Sequence, residues 1–122
     1  MAKILIVDDS TMLRDMLNYA LNEGGYTDVI EAIDGEDGVN KAKAVEFDLI
    51  ITDINMPKKD GFELISELRA TSTYAKKPIL TLTTERTNEM KIKGKESGAT
   101  GWIVKPFVPD QLLKAVNLVL NR

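Results

Sequence analysis

The sequence has 122 residues, of which 43% are hydrophobic and 29% charged, and its formal net charge is −3. This composition is typical of one globular domain, and the acidic balance argues against a nucleic-acid partner. Histidine and cysteine are absent, which excludes disulfides, thiolate or Ser-His-Asp catalysis, the usual zinc sites and a phosphohistidine on this chain. Carboxylates, hydroxyls and amines are the groups left for chemistry.

The N-terminus has too few apolar residues for a targeting segment. Lys3 and four apolar residues precede the first aspartate, whereas a secretory signal needs about 7–15 apolar residues and a membrane span about 20. We therefore expect a cytoplasmic protein with no membrane partner.

Apolar patterning predicts a strand and a helix at the start of the chain. Residues 4–7 are a short, fully apolar run, which favours a strand buried on both faces. The following helix has Ser10 or Thr11 available as its N-cap and is ended by Gly24. Its apolar face is predicted at Leu13, Met16, Leu17, Ala20 and Leu21.

The next elements continue this alternation. Residues 29–33 predict a second strand, residues 35–45 a second helix, and residues 49–52 a third strand that ends in Asp53. The loop INMPKKDG leads into a third helix, because proline and glycine punctuate turns. The apolar faces of the two helices are predicted at Val39, Ala42 and Val45, and at Leu64, Ile65 and Leu68.

The last part of the chain predicts two more strands, at residues 78–82 and 101–104, a polar helix at 88–97, and a final helix after Pro109. Strands that alternate with helices imply right-handed crossovers and a parallel sheet covered on both faces. We expect one α/β domain over residues 1–122, with no separate output domain. The final helix carries its apolar face at Leu112, Leu113, Val116, Val119 and Leu120.

Polar side chains follow four of the five strands. Because the carboxyl ends of parallel strands meet at one edge of a sheet, these side chains should converge there. They are Asp8 and Asp9 after the first strand, Asp53 after the third, Thr83 and Thr84 after the fourth, and Lys105 after the fifth. The sequence therefore predicts carboxylates, a hydroxyl and an ammonium on one rim.

Three clustered carboxylates repel one another unless a cation intervenes. Oxygen ligands without nitrogen or sulfur favour a hard ion, and Mg²⁺ fits better than Ca²⁺, which takes more protein ligands. A carboxylate beside Mg²⁺ can attack phosphorus and form an aspartyl phosphate. Asp53 is then the candidate nucleophile, with Asp8 and Asp9 as metal carriers, while Lys105 and Thr83 would hold the phosphoryl group.

Each of these residues also has a plain structural interpretation. The pair Asp8 and Asp9 alone would suit an acidic turn at a helix N-terminus. Lys105 alone would suit a solvated surface lysine, and Thr83 a residue that simply favours strands. The aspartate pair together with Asp53 and Lys105 favours the metal site.

Four sequence blocks resemble the receiver domain of bacterial response regulators. They are "VDDS", "ITDINMPKKDGFELI", "LTLTTE" and "GWIVKPF", in the order and spacing of that family and spread over essentially the whole chain. The resemblance implies a flavodoxin-like, doubly wound α/β fold: a five-stranded parallel sheet in the order 2-1-3-4-5 with five helices.

The resemblance also implies roles for the acidic residues. Asp53 matches the phosphoacceptor, and Asp9 and Asp53 match the direct Mg²⁺ ligands. Asn55 matches the residue whose backbone carbonyl completes the protein ligands. Asp8 matches the carboxylate that acts through metal-bound water.

Further positions match the phosphate-binding and switch residues of the family. Thr83 and Lys105 match the hydroxyl and the ammonium that bind the phosphoryl group, and the bond from Lys105 to Pro106 is cis in the family. Trp102 matches the aromatic switch residue that turns inward on activation. Thr84 stands beside the phosphate site where the family usually has a small residue.

Other matches bear on rates and on the switch. Asn55 and Glu85, two positions beyond Asp53 and Thr83, lie where the family tunes how fast the phosphate is lost; Glu85 would also suit an exposed helix start. The family generally has Tyr or Phe in place of Trp102, which could equally be a large residue of the partial core.

Two helices near the rim are weakly specified. Gly94 inside the helix at residues 88–97 lowers its stability by roughly 0.5–1 kcal/mol relative to Ala, which suits either a two-state surface or a mobile edge. Val108 replaces an expected capping Ser or Thr before the last helix. The lost cap costs about 1 kcal/mol, partly offset by Asp110 in the first turn.

The resemblance implies a monomeric, single-domain response regulator that accepts a phosphoryl group from a sensor histidine kinase and is not a turnover enzyme. Its signal would leave by protein contact through the fourth helix, fifth strand and fifth helix. The closest likeness is to chemotaxis regulators, whose target is the flagellar motor switch and whose phosphoryl group a phosphatase can remove.

Three alternatives are open. The chain could be a phosphorelay intermediate or a regulator of a non-motor target. It could be a Mg²⁺-dependent phosphohydrolase with an aspartyl nucleophile, although those enzymes carry D-x-D rather than D-D after the first strand and add a cap domain. It could also be a receiver-like module that binds partners without phosphorylation, although such modules tend to lose an acidic residue or the lysine.

Overall fold

The computed structural model describes residues 2–121, so the first and last residues of the predicted 1–122 domain lie outside the described part. The strands are β1 (Lys3–Val7), β2 (Asp28–Ala32), β3 (Leu49–Thr52), β4 (Ile79–Thr83) and β5 (Gly101–Val104). The helices are α1 (Thr11–Glu23), α2 (Gly35–Ala44), α3 (Gly61–Arg69), α4 (Asn88–Ser97) and α5 (Pro109–Val119). The sheet is parallel, in the order β2-β1-β3-β4-β5. The predicted fold class and strand order are confirmed.

The central strands are continuously apolar because helices cover both faces of the sheet. Side chains alternate along a strand, so Ile4 and Ile6 join one core while Leu5 and Val7 join the other. α1 and α5 cover the first core, and α2 and α3 cover the second. No face of β1 or β3 is left to solvent, so the aspartates predicted at the rim follow only after these strands end.

Strand boundaries differ slightly from the prediction. β1 and β2 each begin one residue earlier than predicted, since Lys3 pairs with Asp28 in the register of the two strands. Ile33 leaves β2 because its backbone N–H donates to the Asp37 carboxylate at 3.0 Å. Thr83 is the last residue of β4 rather than the residue after it.

Two residues predicted on apolar faces are exposed. Met16 is 51% exposed, because α1 is rotated so that Arg14 takes a place on the buried side. Val45 is 45% exposed, because α2 ends at Ala44 and Val45 has an extended backbone. Helical periodicity predicts the helix correctly in both cases and misplaces one member of the face.

The missing N-cap predicted for α5 is confirmed, and both ends of α4 are capped. Val108 makes no side-chain cap to α5. Thr87 caps α4 by accepting from the backbone N–H of Met90 at 3.2 Å, and α4 ends at Gly98, whose φ of 110° favours glycine. None of the helices in residues 2–121 has the length and apolar character of a bilayer-spanning segment.

Candidate metal and phosphoacceptor site

The sheet brings the predicted rim residues together through its backbone register. Val7 pairs with Thr52, and the backbone N–H of Asp53 donates to Val7 O at 2.9 Å. Asp8 and Asp53 therefore leave adjacent strands at the same level. One carboxylate oxygen from each of Asp8, Asp9 and Asp53 lies within 4.8 Å of the others.

Lys105, which directly follows the edge strand β5, completes this cluster. Its backbone N–H donates to Thr83 O at 2.8 Å, which fixes where its side chain leaves β5. The ammonium Nζ lies 2.9 Å from Asp8 Oδ2 and 3.0 Å from Asp53 Oδ2. The ammonium is thus shared by two carboxylates. The cis bond expected from Lys105 to Pro106 is present.

Burial and charge act against each other at this cluster. Burial raises the pKa of the Asp8 carboxyl, and the charge of Asp53 adds to that rise, although the Ser10 N–H and the Lys105 ammonium oppose it. Burial alone would lower the pKa of Lys105, but its hydrogen bonds to Asp8 and Asp53 outweigh it and raise that pKa. The site therefore holds a protonated lysine, whose single positive charge does not balance the three clustered carboxylates.

Asp53 is held in a tight turn. It is 7% exposed, and its Oδ1 accepts from the backbone N–H of Ile54 at 2.6 Å. The loop after it returns so closely that a Cβ on Gly61 would lie 2.3 Å from Asp53 O. Gly61 is therefore required by the close approach of α3 to the strand end.

The two neighbouring aspartates differ in how they are held. Asp8 is 3% exposed, its Oδ1 accepts from the Ser10 N–H at 2.8 Å, and its Oδ2 contacts Lys105. Asp9 is exposed, and no group in residues 2–121 donates a hydrogen bond to its carboxylate. Three acceptor-only carboxylates, one of them open, fit a hard divalent cation.

The predicted phosphate-binding and rate-setting residues form a second group. Thr83 is fully buried, and its Oγ1 accepts from the backbone N–H of Glu85 at 3.3 Å. Asn55 Nδ2 donates to Glu85 Oε1 at 2.8 Å. Thr84 is exposed and lines a cleft of about 420 Å³ together with Lys105. Within the described chain, Thr83 and Thr84 hydrogen-bond to none of the three carboxylates.

Trp102 is half-buried at the edge of the sheet. Its Nε1 donates to Glu85 O at 2.9 Å, and its ring stacks on Phe62 with centroids 6.3 Å apart and planes 23° apart. Gly94 lies against the ring, since a Cβ there would be 2.5 Å from Trp102 Cζ3. The glycine expected to weaken α4 thus makes room for the indole.

Sequence reasoning missed Arg14. This residue is 8% exposed, and its Nη1 donates to Asp8 O at 2.6 Å. A signal was available, because Arg14 lies on the helical face of Leu17 and Leu21, at i, i+3 and i+7. A basic residue in that stripe needs a buried acceptor.

Together, the fold and this site define a class: an α/β protein with an acidic cluster, bridged by lysine, at the carboxyl ends of a parallel sheet. Among known families, the response regulator receiver domain matches residues 4–117. The chain therefore belongs to the receiver-domain family of response regulators. Receiver domains are the phosphoacceptor signalling domains of two-component systems.

Two curated relatives illustrate the spread of the family. The chain is 40% identical over 120 residues to the alkaline phosphatase synthesis transcriptional regulatory protein PhoP of Bacillus subtilis, which covers 98% of this chain and 49% of PhoP. It thus spans about half the length of PhoP. It is 36% identical to the chemotaxis protein CheY1 of Helicobacter pylori, over 98% of this chain and 97% of CheY1.

Solved structures agree with the fold. The chemotaxis protein CheY4 of Vibrio cholerae is 49% identical, with a TM-score of 0.92 and 98% of both chains covered. The receiver domain of the sensor histidine kinase PA1611 of Pseudomonas aeruginosa is 25% identical, with a TM-score of 0.91 over 99% of this chain and 98% of that one. That structure has a magnesium ion coordinated in its active site cleft.

Proposed function

We propose that Asp53 accepts a phosphoryl group from a phosphohistidine of a sensor histidine kinase, with Mg²⁺ bound at the site. The observation that carries the proposal is the Lys105 ammonium, 2.9 Å from Asp8 Oδ2 and 3.0 Å from Asp53 Oδ2 within the cluster of three carboxylates. One ammonium leaves net negative charge at the cluster, which favours a divalent cation.

The proposed ligands are the ones that the resemblance to receiver domains implies. Asp9, Asp53 and the backbone carbonyl of Asn55 would hold Mg²⁺ directly, and Asp8 would act through water. When bound, Mg²⁺ supplies positive charge for the carboxylates and for the oxygens of the transferring group. Asp9 suits this role because its carboxylate accepts no hydrogen bond within residues 2–121.

In the proposed transfer, a carboxylate oxygen of Asp53 forms a bond to phosphorus. The bond from phosphorus to the donor's imidazole nitrogen breaks, and that nitrogen keeps the electron pair. Lys105 and Thr83 would bind oxygens of the phosphoryl group. The contact between Lys105 and Asp53 Oδ2 supports this role, because it holds the ammonium beside the carboxylate that would be phosphorylated.

Loss of the phosphoryl group would occur by water attack on phosphorus, which releases inorganic phosphate and restores the Asp53 carboxylate. Asn55 and Glu85 are joined by a 2.8 Å hydrogen bond next to the site, and we propose that they set the rate of this step. Thr84, beside Lys105 in the cleft, would narrow access to the phosphate. The chain would act as a phosphoacceptor and not as a turnover enzyme.

The proposed output surface consists of α4, β5 and α5. Within it, Trp102 of β5 packs against the buried Gly94 of α4. Thr83 connects to Trp102 through Glu85, whose N–H donates to Thr83 Oγ1 and whose carbonyl accepts from Trp102 Nε1. The similarity to the chemotaxis proteins CheY1 and CheY4 supports a role in chemotaxis. From the family resemblance we propose that the target is a flagellar motor switch, that a phosphatase is a further partner, and that the protein acts as a cytoplasmic monomer. We also propose that residues 1–122 fold as one receiver domain.

A second candidate is a phosphorelay intermediate or a regulator of another target. PhoP, a transcriptional regulatory protein, and the receiver domain of a sensor kinase are also similar to this chain. A pull-down and a phosphotransfer assay, both with the phosphorylated chain, separate the candidates. Capture by a motor switch protein favours the first, and transfer to a histidine phosphotransfer domain favours the second.

The direct test is intact mass after incubation with acetyl phosphate, with and without Mg²⁺. We expect one added phosphoryl group in wild type, dependent on Mg²⁺ and lost in Asp53→Asn. Asp15→Asn, which changes an exposed aspartate of α1, is the matched control and should label like wild type. Full labelling of Asp53→Asn would contradict the assignment.

Phosphate release, measured in the same tubes and in parallel tubes that hold small phosphoesters instead of acetyl phosphate, addresses the remaining rivals. Continuous release of phosphate from many small phosphoesters, in large excess over protein, would favour a phosphohydrolase. Neither adduct nor released phosphate would favour a module that binds partners without phosphorylation.

A further inference from the structure

Arg14 is an almost buried cation next to the acidic cluster, and the proposed phosphotransfer leaves it without a role. Its guanidinium makes three hydrogen bonds: Nη1 to Asp8 O at 2.6 Å, Nε to Glu31 Oε1 at 3.0 Å and Nη2 to Thr11 Oγ1 at 3.3 Å. The shortest of them reaches the backbone at the site.

The oxygen that Arg14 binds belongs to the peptide between Asp8 and Asp9. That peptide is planar, so a charge-assisted hydrogen bond to its oxygen holds the plane and, with it, the position of the Asp9 Cα from which the side chain starts. The other polar groups of Asp8 are also held: its N–H donates to Ala32 O at 3.1 Å, and its two carboxylate oxygens accept from Ser10 and Lys105.

Arg14 is itself held from a second element. Glu31 of β2 accepts from Arg14 Nε with Oε1 and from Asn18 Nδ2 with Oε2, at 3.0 and 3.1 Å. Lys41 of α2 donates to Glu31 O at 2.7 Å. The guanidinium thus contacts α1 and β2 directly, and Lys41 of α2 holds the backbone of Glu31. These contacts fix the orientation of the guanidinium towards the Asp8–Asp9 peptide, although the Arg14 side chain is flexible by itself.

We propose that Arg14 is a positioning residue for the metal carboxylates: it orients the Asp8–Asp9 peptide so that the exposed Asp9 carboxylate faces the cation. This inference rests on the proposed function, since it assumes that Mg²⁺ binds at this cluster. Arg14 touches neither the metal carboxylates' oxygens nor, in the described chain, Asp53, so it acts through the backbone.

The proposal and simple electrostatics predict opposite changes in Mg²⁺ affinity when Arg14 is removed. A guanidinium next to the cluster repels a divalent cation, so a neutral replacement should tighten Mg²⁺ binding if charge were all that mattered. If orientation matters, the same replacement weakens binding, because residues behind metal ligands typically change affinity about 10–100-fold. The sign of the change separates the two accounts.

The experiment is calorimetric titration of Mg²⁺ alone into folded wild type, Arg14→Met and Arg14→Lys. We expect about tenfold weaker binding in Arg14→Met, and partial rescue in Arg14→Lys, which keeps a cationic hydrogen-bond donor at this position. Lys114→Met removes an exposed positive charge on α5 and serves as the charge control, with unchanged affinity. Equal or tighter binding in Arg14→Met would overturn the proposal.

Two additions keep the result decisive. Arg14→Gln gives the same neutral test with a polar side chain if the Met variant does not fold. The amide proton shift of Asp9 in metal-free protein should move in Arg14→Met and stay in place in Lys114→Met; an unmoved shift would also overturn the proposal. Absence of Mg²⁺ binding in wild type would instead contradict the proposed function.

Discussion

α3 and α4 are adjacent helices of similar length that are held to the protein in different ways. Five of the nine residues of α3 are buried, and the helix begins with a capping box between Asp60 and Glu63. Among the ten residues of α4, only Gly94 is buried. The strands repeat the contrast, because every residue of β3 is buried and every residue of β5 is half-buried.

The contrast matches the two tasks proposed for the molecule. Asp53 stands at the end of the tightly packed β3, and α3 closes the loop behind it, so the proposed phosphoacceptor is held firmly. Trp102 stands on the loosely covered β5 and contacts α4 across Gly94. Elements that change arrangement are drawn from the weakly held part of a structure.

The largest difference is expected from matched truncations in the two helices. Ile65 of α3 is fully buried, whereas Ile92 of α4 is 59% exposed. Ile65→Ala should lower the free energy of unfolding by about 2–5 kcal/mol, and Ile92→Ala should change it by at most about 0.5 kcal/mol. Urea unfolding measures both, and similar losses would break the comparison.

Gly94→Ala should disturb the packing of α4 against β5 and lower the free energy of unfolding. The new Cβ would lie 2.5 Å from Trp102 Cζ3, so an overpacking loss of about 1–3 kcal/mol opposes a helix-propensity gain of about 0.5–1 kcal/mol. Trp102 is the single tryptophan, so its emission should shift.

Two controls test the cause of that shift. Lys95→Ala, on the exposed surface of the same helix, should leave the emission unchanged. In a Trp102→Phe background the smaller ring relieves the clash, so Gly94→Ala should then stabilise the protein. A loss of the same size in both backgrounds would show that Trp102 is not the partner of Gly94.

Removing the N-caps of α3 and α4 should give smaller changes in stability that extend the same comparison. Asp60→Ala and Thr87→Ala each remove a cap worth roughly 0.5–2 kcal/mol. The loss at Asp60 should appear in global unfolding, whereas the loss at Thr87 should appear as faster hydrogen exchange of α4 amides with little global change. Equal global losses would contradict a weakly coupled α4.

A pH-dependent effect is expected at Asp8. Burial raises the pKa of its carboxyl in the fold above the ordinary value of 3.8, so the stability it contributes is complete below that value and is lost as pH rises through the folded pKa. Without Mg²⁺, Asp8→Asn should therefore raise the melting temperature at neutral pH. The gain should vanish below pH 3.8.

The measurement is thermal unfolding of wild type and Asp8→Asn from neutral pH to below pH 3.8. Asp9→Asn, which changes an exposed neighbour, should give a smaller gain. A destabilised Asp8→Asn at neutral pH would show that the Lys105 ion pair outweighs the burial of the carboxylate.

The sequence predicts the strands and the convergence of the rim well, because continuous apolar runs and parallel order leave few other arrangements. It does not predict which side of α1 turns inward, since Met16 and Arg14 both fit a helical period. Sharing of Lys105 between two carboxylates depends on side-chain packing across β1, β3 and β5. The role of Gly94 becomes visible only once Trp102 lies against it.

The central claim is that phosphorylation at the firmly held Asp53 changes the loosely held α4 and β5. Hydrogen exchange with and without acetyl phosphate, in the presence of Mg²⁺, tests it directly when intact mass is followed in the same samples. We predict altered exchange in α4 and β5, little change in α2 and β2, and no change in Asp53→Asn. A full phosphoryl adduct with unaltered exchange in α4 and β5 would contradict the account.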